Sequence, residues 1–262
     1  MENKIILKTE KLSIGYHSNK TQNAIASEIN LSLEKGKLIS LIGANGIGKS
    51  TLLRTITGIQ KPLSGAVFLN GRNISDYPSL EAAQNLSVVL TEKLPPSNLT
   101  VFELVALGRQ PYTNWVGTLT DNDFLKINNA LELTQITHLA QKKHFEISDG
   151  QLQKVLIARA IAQDTPLIIL DEPTTHLDLL HKVSLFKLLK MLAAETKKCV
   201  LFSTHDIDLA IQLSDEMIVM TDGKVVPGNP DQLIADKVFD TLFEGENIIF
   251  DPEKHKFVFK NL

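Results

Sequence analysis

The 262-residue sequence contains one cysteine, Cys199, and a single cysteine cannot form an internal disulfide. Cys199 opens an apolar strand pattern at residues 199–202, which predicts a buried structural thiol in a reducing, cytoplasmic setting. Long apolar runs are also missing. None approaches the roughly 18 residues that cross a bilayer, and charges interrupt the N-terminus where a signal peptide has its apolar centre. We therefore expect any contact with a membrane to come through a partner.

An excess of either charge is absent as well. The 27 Lys and Arg residues nearly balance the 30 Asp and Glu residues, for a net charge of −3, and the sequence has no basic stripe. This balance disfavours nucleic acid as the primary partner, because proteins that bind it carry clustered positive charge. Apolar residues make up 43% of the chain, which is enough for the core of one large domain or two small ones.

Residues 43–50 read Gly-Ala-Asn-Gly-Ile-Gly-Lys-Ser and fit G-x-x-x-x-G-K-[ST], the pattern of a phosphate-binding loop. The apolar stretch 38–42 predicts a buried strand before the loop, and the pattern of residues 49–59 predicts a helix after it. A preceding strand and a following helix are the context that this loop requires. The sequence therefore predicts a nucleoside triphosphate site.

The residues of this loop have separate expected tasks. Lys49 is expected to reach the β- and γ-phosphates, and the Ser50 hydroxyl is expected to bind Mg²⁺. The glycines let the backbone N–H groups approach the phosphates, and they are Gly43, Gly46 and Gly48.

Four later segments, taken together with this loop, resemble the ATP-binding cassette (ABC) ATPases. Residues 147–151, Ile-Ser-Asp-Gly-Gln, resemble the family signature Leu-Ser-Gly-Gly-Gln, and residues 166–173, Pro-Leu-Ile-Ile-Leu-Asp-Glu-Pro, resemble its Walker B strand. Thr-Thr-His-Leu-Asp at 174–178 resembles the D-loop, and Ser-Thr-His-Asp at 203–206 resembles the segment of the switch histidine. All five motifs occur in the order and spacing of the family.

The resemblance implies an α/β fold, namely a P-loop NTPase (RecA-like) core with an N-terminal antiparallel β subdomain and a helical insert. We expect residues 1–262 to form a single ABC ATPase domain. Its α/β core with the β subdomain is expected at 4–91 and 151–226, its helical subdomain at 92–150, and a C-terminal helix and hairpin at 227–262. The alternation of strand and helix patterns after the insert predicts a parallel sheet.

Capping patterns predict where helices begin. Thr120 with Asp123 predicts a capping box before a helix at 121–133, and Ser148 is a natural N-cap for a helix at 151–163. The sequence also predicts helices at 101–107 and 233–243 and a closing hairpin at 247–259.

The resemblance also assigns roles to individual residues. Asp171 orients Mg²⁺, Glu172 activates the attacking water, and His205 contacts the γ-phosphate. The implied catalytic residues are Lys49, Glu172 and His205. The implied ATP-binding residues are Tyr16, Gly43, Asn45, Gly46, Gly48, Lys49, Ser50, Thr51, Ser148, Gly150, Gln151 and Asp178. The implied Mg²⁺ ligands are Ser50, Glu92 and Asp171.

Two of these assignments carry further consequences. Tyr16 resembles the aromatic residue that stacks on adenine, and a core or surface tyrosine without that role is the alternative. The signature of the family faces the γ-phosphate bound by another subunit, so the resemblance implies a head-to-tail homodimer with two shared ATP sites. Asp178 then lies at the dimer seam.

Two positions depart from the family pattern. Asp149 places a carboxylate in the signature, which is unfavourable near a triphosphate unless it turns to solvent or meets the helix N-terminus. Glu92 occupies the place of the family's Q-loop glutamine, where it offers Mg²⁺ a charged oxygen, and a solvated loop residue is the alternative. Both departures bear on how tightly the nucleotide is held.

The form Glu-Pro-Thr-Thr-His-Leu-Asp at 172–178 resembles the branch that imports iron–siderophore complexes, haem and vitamin B12, and residues 100–112 resemble that branch's permease-contacting stretch. The implied partners are an integral-membrane permease and an upstream substrate-binding protein, with no nucleic acid. The implied location is peripheral, on the cytoplasmic face of the inner membrane. The alternatives are another ABC transporter class, a soluble ABC ATPase of DNA repair or ribosome work, and a P-loop small-molecule kinase.

Overall fold

The computed structural model describes residues 4–18, 21–90, 97–175, 177–242 and 248–259. Its strands are β1 (Ile5–Ser18), β2 (Thr21–Ile29), β3 (Ser32–Glu34), β4 (Leu38–Gly43), β5 (Ser64–Leu69), β6 (Arg72–Asn73), β7 (Leu86–Val89), β8 (Leu167–Leu170), β9 (Cys199–Ser203), β10 (Glu216–Thr221), β11 (Lys224–Gly228), β12 (Ile248–Asp251) and β13 (Lys256–Phe259). Its α-helices are α1 (Lys49–Ile56), α2 (Ser79–Asn85), α3 (Val101–Ala106), α4 (Asp121–Leu133), α5 (Asp149–Ala162), α6 (Leu179–Thr196), α7 (Ile207–Leu213) and α8 (Pro230–Ala235).

A six-stranded sheet forms the centre of the fold, in the order β11-β10-β4-β9-β8-β7. Five of these strands are parallel, which confirms the prediction of a parallel sheet, and their apolar runs are buried along β4, β8 and β9. The exception is β11, which the sequence analysis did not predict. It pairs antiparallel with β10 because the chain reverses at Gly223, whose φ is 70°.

The N-terminal strands form a separate antiparallel sheet, which confirms the antiparallel β subdomain that the family resemblance implies. Its order is β2-β1-β5-β6, with β3 also paired to β1. Apolar side chains of this sheet share one buried cluster with side chains of α1 and β4. That shared core fixes the β subdomain beside the phosphate-binding segment.

The helices between β7 and β8 pack around a second core, to which α3, α4 and α5 contribute. The capping box at Thr120 and Asp123 is confirmed, because the Thr120 N–H donates to Asp123 Oδ2 (2.9 Å) and the Asp123 N–H donates to Thr120 Oγ1 (3.3 Å). Helix α4 has the predicted bounds. A 3₁₀ helix that the sequence analysis missed, Leu107–Tyr112, continues α3.

Several element ends differ from the predictions. Helix α1 stops at Ile56, three residues early, because the chain leaves the helix at Thr57 and Gly58, whose φ is 76°. Helix α2 was not predicted. The expected helix at 233–243 is divided into α8 and a 3₁₀ turn, Val238–Thr241, by Lys237 in the left-handed conformation.

Two expectations about the rest of the chain hold. The hairpin of β12 and β13 is confirmed, and Cys199 is buried. Among the helices of the described ranges, none is long and apolar enough to cross a bilayer.

A buried ion pair ties the helical region together, and its loss should destabilise the fold. Arg109 is 3% exposed; its Nε donates to Asp123 Oδ1 (2.8 Å) and its Nη1 to the Ala162 carbonyl oxygen (2.8 Å). We expect Arg109→Ala to lower the free energy of unfolding by about 3–5 kcal/mol, because it leaves a buried carboxylate without its cation. Urea denaturation measures this change.

The matched control for this prediction is Arg72→Ala, which removes an exposed pair with Glu81. An exposed ion pair contributes about 0–1 kcal/mol, so this control should have a small effect. If Arg109→Ala and Arg72→Ala lowered the free energy of unfolding equally, the expected stabilisation by the buried ion pair would be wrong.

Candidate active site

The phosphate-binding loop connects β4 to α1, as predicted. Gly48, with φ of 111°, occupies the N-cap position, and no side chain caps the helix there. The first N–H groups of α1 therefore remain available to an anion. Space also restricts two of the glycines: a Cβ on Gly43 would lie 2.7 Å from the Met220 carbonyl oxygen, and a Cβ on Gly48 would lie 2.5 Å from Ile25 Cγ2. Asn45 and Gly46 are exposed at the tip of the loop.

Lys49 places a buried ammonium group behind this loop. It is 5% exposed, and its Nζ donates to the carbonyl oxygens of Gly43 (2.9 Å) and Ala44 (3.1 Å). Burial lowers the pKa of Lys49, while the carboxylates of Glu172 and Asp171 act in the opposite direction. A buried cation whose direct partners are neutral carbonyl groups fits an anion such as a triphosphate.

The next turn of α1 connects the loop to the β subdomain. Ser50 is exposed beside the loop, and Thr51 is buried. The Thr51 hydroxyl lies 2.9 Å from the hydroxyl of Tyr16, whose side chain is 56% exposed. A core role for Tyr16 is therefore wrong, and stacking on adenine stays a prediction for a ring that lies on the surface next to the loop.

The carboxylates of the predicted Walker B motif lie at the same sheet edge as the loop. Strands β4, β9 and β8 are neighbouring and parallel, so their carboxyl ends meet there. Asp171 is 3% exposed, and its Oδ1 accepts a hydrogen bond from Ser203 Oγ (2.6 Å). Ser203 Oγ in turn accepts the Glu172 N–H (2.8 Å). Ser203 thus holds both residues of the motif.

Glu172 has an unusual backbone and a close side-chain partner. Its φ is 49°, a left-handed conformation that costs a non-glycine residue about 1–2 kcal/mol. His205 Nε2 lies 2.5 Å from Glu172 Oε1. An ionised carboxylate can only accept, so we assign the proton to Nε2. The structure thus brings two of the three predicted catalytic side chains, Glu172 and His205, into direct contact.

Sequence reasoning missed four polar residues around this pair. Thr174 Oγ1 donates to Asp206 Oδ2 (2.8 Å), and Lys182 Nζ donates to Asp206 Oδ1 (2.8 Å). With Ser203, these residues surround the carboxylate–histidine contact. Ser203 had a usable signal, because it directly follows the strand pattern at 199–202 and opens the segment of the switch histidine. Lys182 had none, because a lysine on a helix is ordinarily a solvated residue.

The signature residues begin α5. Ser148 is its N-cap: the Gln151 N–H donates to Ser148 Oγ (3.3 Å), and the Ser148 N–H donates to Gln151 Oε1 (3.0 Å). The N-cap prediction is confirmed, although the helix starts at Asp149 rather than at residue 151. Asp149 is exposed in the first helical turn, so it meets both conditions under which its charge is tolerated.

A groove of about 430 Å³ lies in front of this helix end. It is lined by Ser148, Asp149, Gly150, Gln151, Lys154, Leu177, Asp178 and His181. Asp178 is the N-cap of α6, and its Oδ1 accepts the N–H (2.9 Å) and the Nδ1–H (2.8 Å) of His181. The hydrogen bond from the His181 N–H is the main cause that lowers the pKa of Asp178.

The predicted site residues thus fall into two groups. The loop, Asp171, Glu172 and His205 lie at one sheet edge, whereas the signature residues line the groove with Asp178. In the part of the chain that the structure describes, no hydrogen bond joins the signature residues to the loop. Glu92 lies outside the described residues, as does His176.

The oxygen donors at the sheet edge fit a magnesium ion. Within the described ranges, no group of three or more His, Cys, Asp or Glu side chains is arranged to hold a metal. Mg²⁺ does not need such a group, because it binds through one or two carboxylates, water and substrate phosphates. The Ser50 hydroxyl and the Asp171 carboxylate are donors of the required hard type.

Known proteins share this sequence and architecture. Residues 26–175 match the family model described as ABC transporter. An uncharacterised ABC transporter ATP-binding protein of Methanocaldococcus jannaschii is 40% identical over 98% of this chain and 87% of its own. The iron(3+)-hydroxamate import ATP-binding protein of Bacillus subtilis is 38% identical over 95% of this chain and 92% of its own.

Solved structures of ABC transporters and their ATP-binding cassettes share the fold of this chain. A metal-chelate type ABC transporter in an inward-facing conformation has a TM-score of 0.79 at 28% identity, covering 98% of this chain and 96% of that one. A dimeric ATP-binding cassette bound to ADP and phosphate, in a post-hydrolysis state, has a TM-score of 0.75 at 28% identity, covering 86% of this chain and 99% of that one.

Proposed function

This chain belongs to the ABC transporter family and is an ATPase of its ATP-binding cassette type, and we propose that it powers the import of an iron chelate, haem or a cobalamin through a partner permease. The import class rests on the 38% identity to an iron(3+)-hydroxamate import ATP-binding protein. The observation that supports hydrolysis is the contact of 2.5 Å between Glu172 and His205 at the sheet edge that also holds Lys49. This arrangement places a proton acceptor beside a phosphate-binding loop, as ATP hydrolysis requires.

Each residue at that edge has a proposed task. Lys49 and the N–H groups of the loop bind the phosphates of ATP, while Tyr16 stacks on the base. Ser50 and Asp171 hold Mg²⁺, which neutralises charge on the phosphates when it is bound. Glu172 accepts the proton of the attacking water, and His205 holds the Glu172 carboxylate in place while it contacts the terminal phosphate.

A second copy of the chain completes each site. Within the described residues, no hydrogen bond links the groove at the start of α5 to the phosphate-binding loop of the same chain. The free N–H groups at the start of α5 favour an anion. We infer that the groove receives the terminal phosphate bound by the other copy, with Asp178 at the seam. The dimeric ATP-binding cassette bound to ADP and phosphate supports the formation of a dimer.

The helical region offers the surface for the permease. Large apolar side chains are exposed there, and Trp115 is 97% exposed. They lie on or beside the stretch that resembles the permease-contacting segment, and they are Leu107, Tyr112, Trp115 and Val116. Exposed apolar patches of this kind mark protein–protein contacts. The chain would then sit peripherally on the cytoplasmic face of the inner membrane, with a substrate-binding protein upstream of the permease.

Uptake by intact cells tests the substrate class. We expect deletion of the gene to abolish the uptake of one of three labelled substrates, namely a ferric hydroxamate, haem or cobalamin, because the permease is not driven without its ATPase. Reintroduction of the wild-type gene should restore uptake, and reintroduction of Glu172→Gln should not. Normal uptake of all three with loss of an unrelated nutrient would favour another ABC transporter class, which is the second candidate.

A further inference from the structure

Asp206, which follows the switch histidine, does not cap the helix that it precedes. It occupies the N-cap position of α7, where an aspartate ordinarily accepts N–H groups of the first turn, but no such side-chain bond is present. Its two oxygens are used elsewhere: Oδ2 accepts from Thr174 Oγ1, and Oδ1 accepts from Lys182 Nζ, both at 2.8 Å. Asp206 thus lacks a capping interaction that ordinarily stabilises a helix by about 1 kcal/mol, and it makes two tertiary contacts instead.

Hydrogen bonds join residues 171–175, residues 203–206 and the start of α6 around Glu172 and His205. Residues 171–175 and 203–206 are cross-linked by Ser203 on one side of His205 and by Asp206 on the other. The Asp206 N–H also donates to the buried Thr204 hydroxyl (3.0 Å). His205 is thereby fixed on both flanks, with its ring against Glu172.

Lys182 is the only one of these residues that comes from α6. It lies in the first turn of that helix, and its N–H donates to the carbonyl oxygen of Asp178 (2.9 Å). Asp178 and His181 of the same turn line the signature groove. The start of α6 therefore contributes Asp178 and His181 to the groove and Lys182 to the contact with Asp206, the neighbour of His205. A shift of this turn would move Asp206 and, through it, His205.

We propose that Lys182 is a positioning residue for hydrolysis: through Asp206 it holds His205 against Glu172, and it links this contact to the turn that faces the second copy. The ion pair is partly shielded, with side-chain exposures of 26% and 24%, so water weakens it less than an exposed pair. The proposal rests on the proposed roles of Glu172 and His205.

Steady-state ATPase kinetics of the full-length protein with Mg-ATP test this role. We expect Lys182→Ala to lower kcat roughly 10- to 100-fold, because a small displacement of a catalytic group has an effect of this size, and to leave the KM for ATP unchanged. Lys182→Arg should restore most of kcat, since a single contact to one oxygen can be made by either cation. Asp206→Asn should lower kcat as Lys182→Ala does, and the double variant should be no slower than the slower single variant.

Lys187→Ala is the matched control, because Lys187 lies on the same helix and is exposed. It should have wild-type kcat, and the thermal unfolding midpoints of all variants should be compared. Wild-type kcat in Lys182→Ala, additive losses in the double variant, or a loss that Lys182→Arg does not restore would each overturn the proposal. A wild-type protein that binds ATP without hydrolysing it is a separate result, which would contradict the roles of Glu172 and His205 instead.

Discussion

Glu172→Gln should retain ATP binding and lose hydrolysis, with kcat lower by about 10²–10⁴-fold, the usual contribution of a general base. The amide has the shape of the carboxylate and can still accept the hydrogen bond from His205 Nε2, but it cannot take a proton from water. Because Lys49 and the loop are unchanged, ATP should remain bound. Phosphate release measures the rate, and binding of a fluorescent ATP analogue measures the affinity.

Trapped ATP should also hold two copies of this variant together. Size-exclusion chromatography with Mg-ATP is expected to give a dimer for Glu172→Gln and a monomer without nucleotide. Glu195→Gln, an exposed substitution on α6, is the control and should hydrolyse ATP as the wild type does. A monomer in both conditions would contradict the shared-site model, and rapid hydrolysis by Glu172→Gln would contradict the role of Glu172.

Lys49→Ala should abolish binding at physiological ATP concentrations. Removing one partner of a desolvated charge pair costs about 2–5 kcal/mol, which corresponds to roughly 30- to 5,000-fold in Kd. Isothermal titration with Mg-ATP measures the loss. Lys61→Ala, which removes an exposed lysine after α1, is the control and should bind normally. Similar affinities for wild type and Lys49→Ala would show that the loop does not hold the phosphates through this side chain.

Although Lys49→Ala should weaken ATP binding, it should not lower the thermal stability of the protein. Burial lowers the pKa of Lys49 in the folded chain, so the folded state binds fewer protons than the unfolded state as the pH rises toward the ordinary lysine value. The charged form present at neutral pH is therefore held at a cost to the free energy of unfolding. Without nucleotide, Lys49→Ala should unfold at the wild-type temperature or above it, and Mg-ATP should raise the midpoint of the wild type only.

Local patterns predicted most of the elements that carry the site. The loop between β4 and α1, the capping box at Thr120, the N-cap at Ser148 and the strand before Asp171 all depend on interactions within a few residues of the chain. Side-chain spacing and capping chemistry are therefore enough to place them. Helix α2 and strand β11 were not predicted, because each is only five to seven residues long and a short segment carries a weak periodic pattern.

By itself, the sequence determined the phosphate-binding loop, the paired carboxylates at 171–172, the switch histidine and the family that they indicate, because each of these is a run of adjacent residues. Only the tertiary structure decided that Ser203 holds Asp171 and Glu172, and that Lys182 reaches Asp206. These contacts join residues 24 to 32 positions apart. The pairing of β8 with β9 and the packing of α6 bring them together, and no local pattern records which distant side chains will meet.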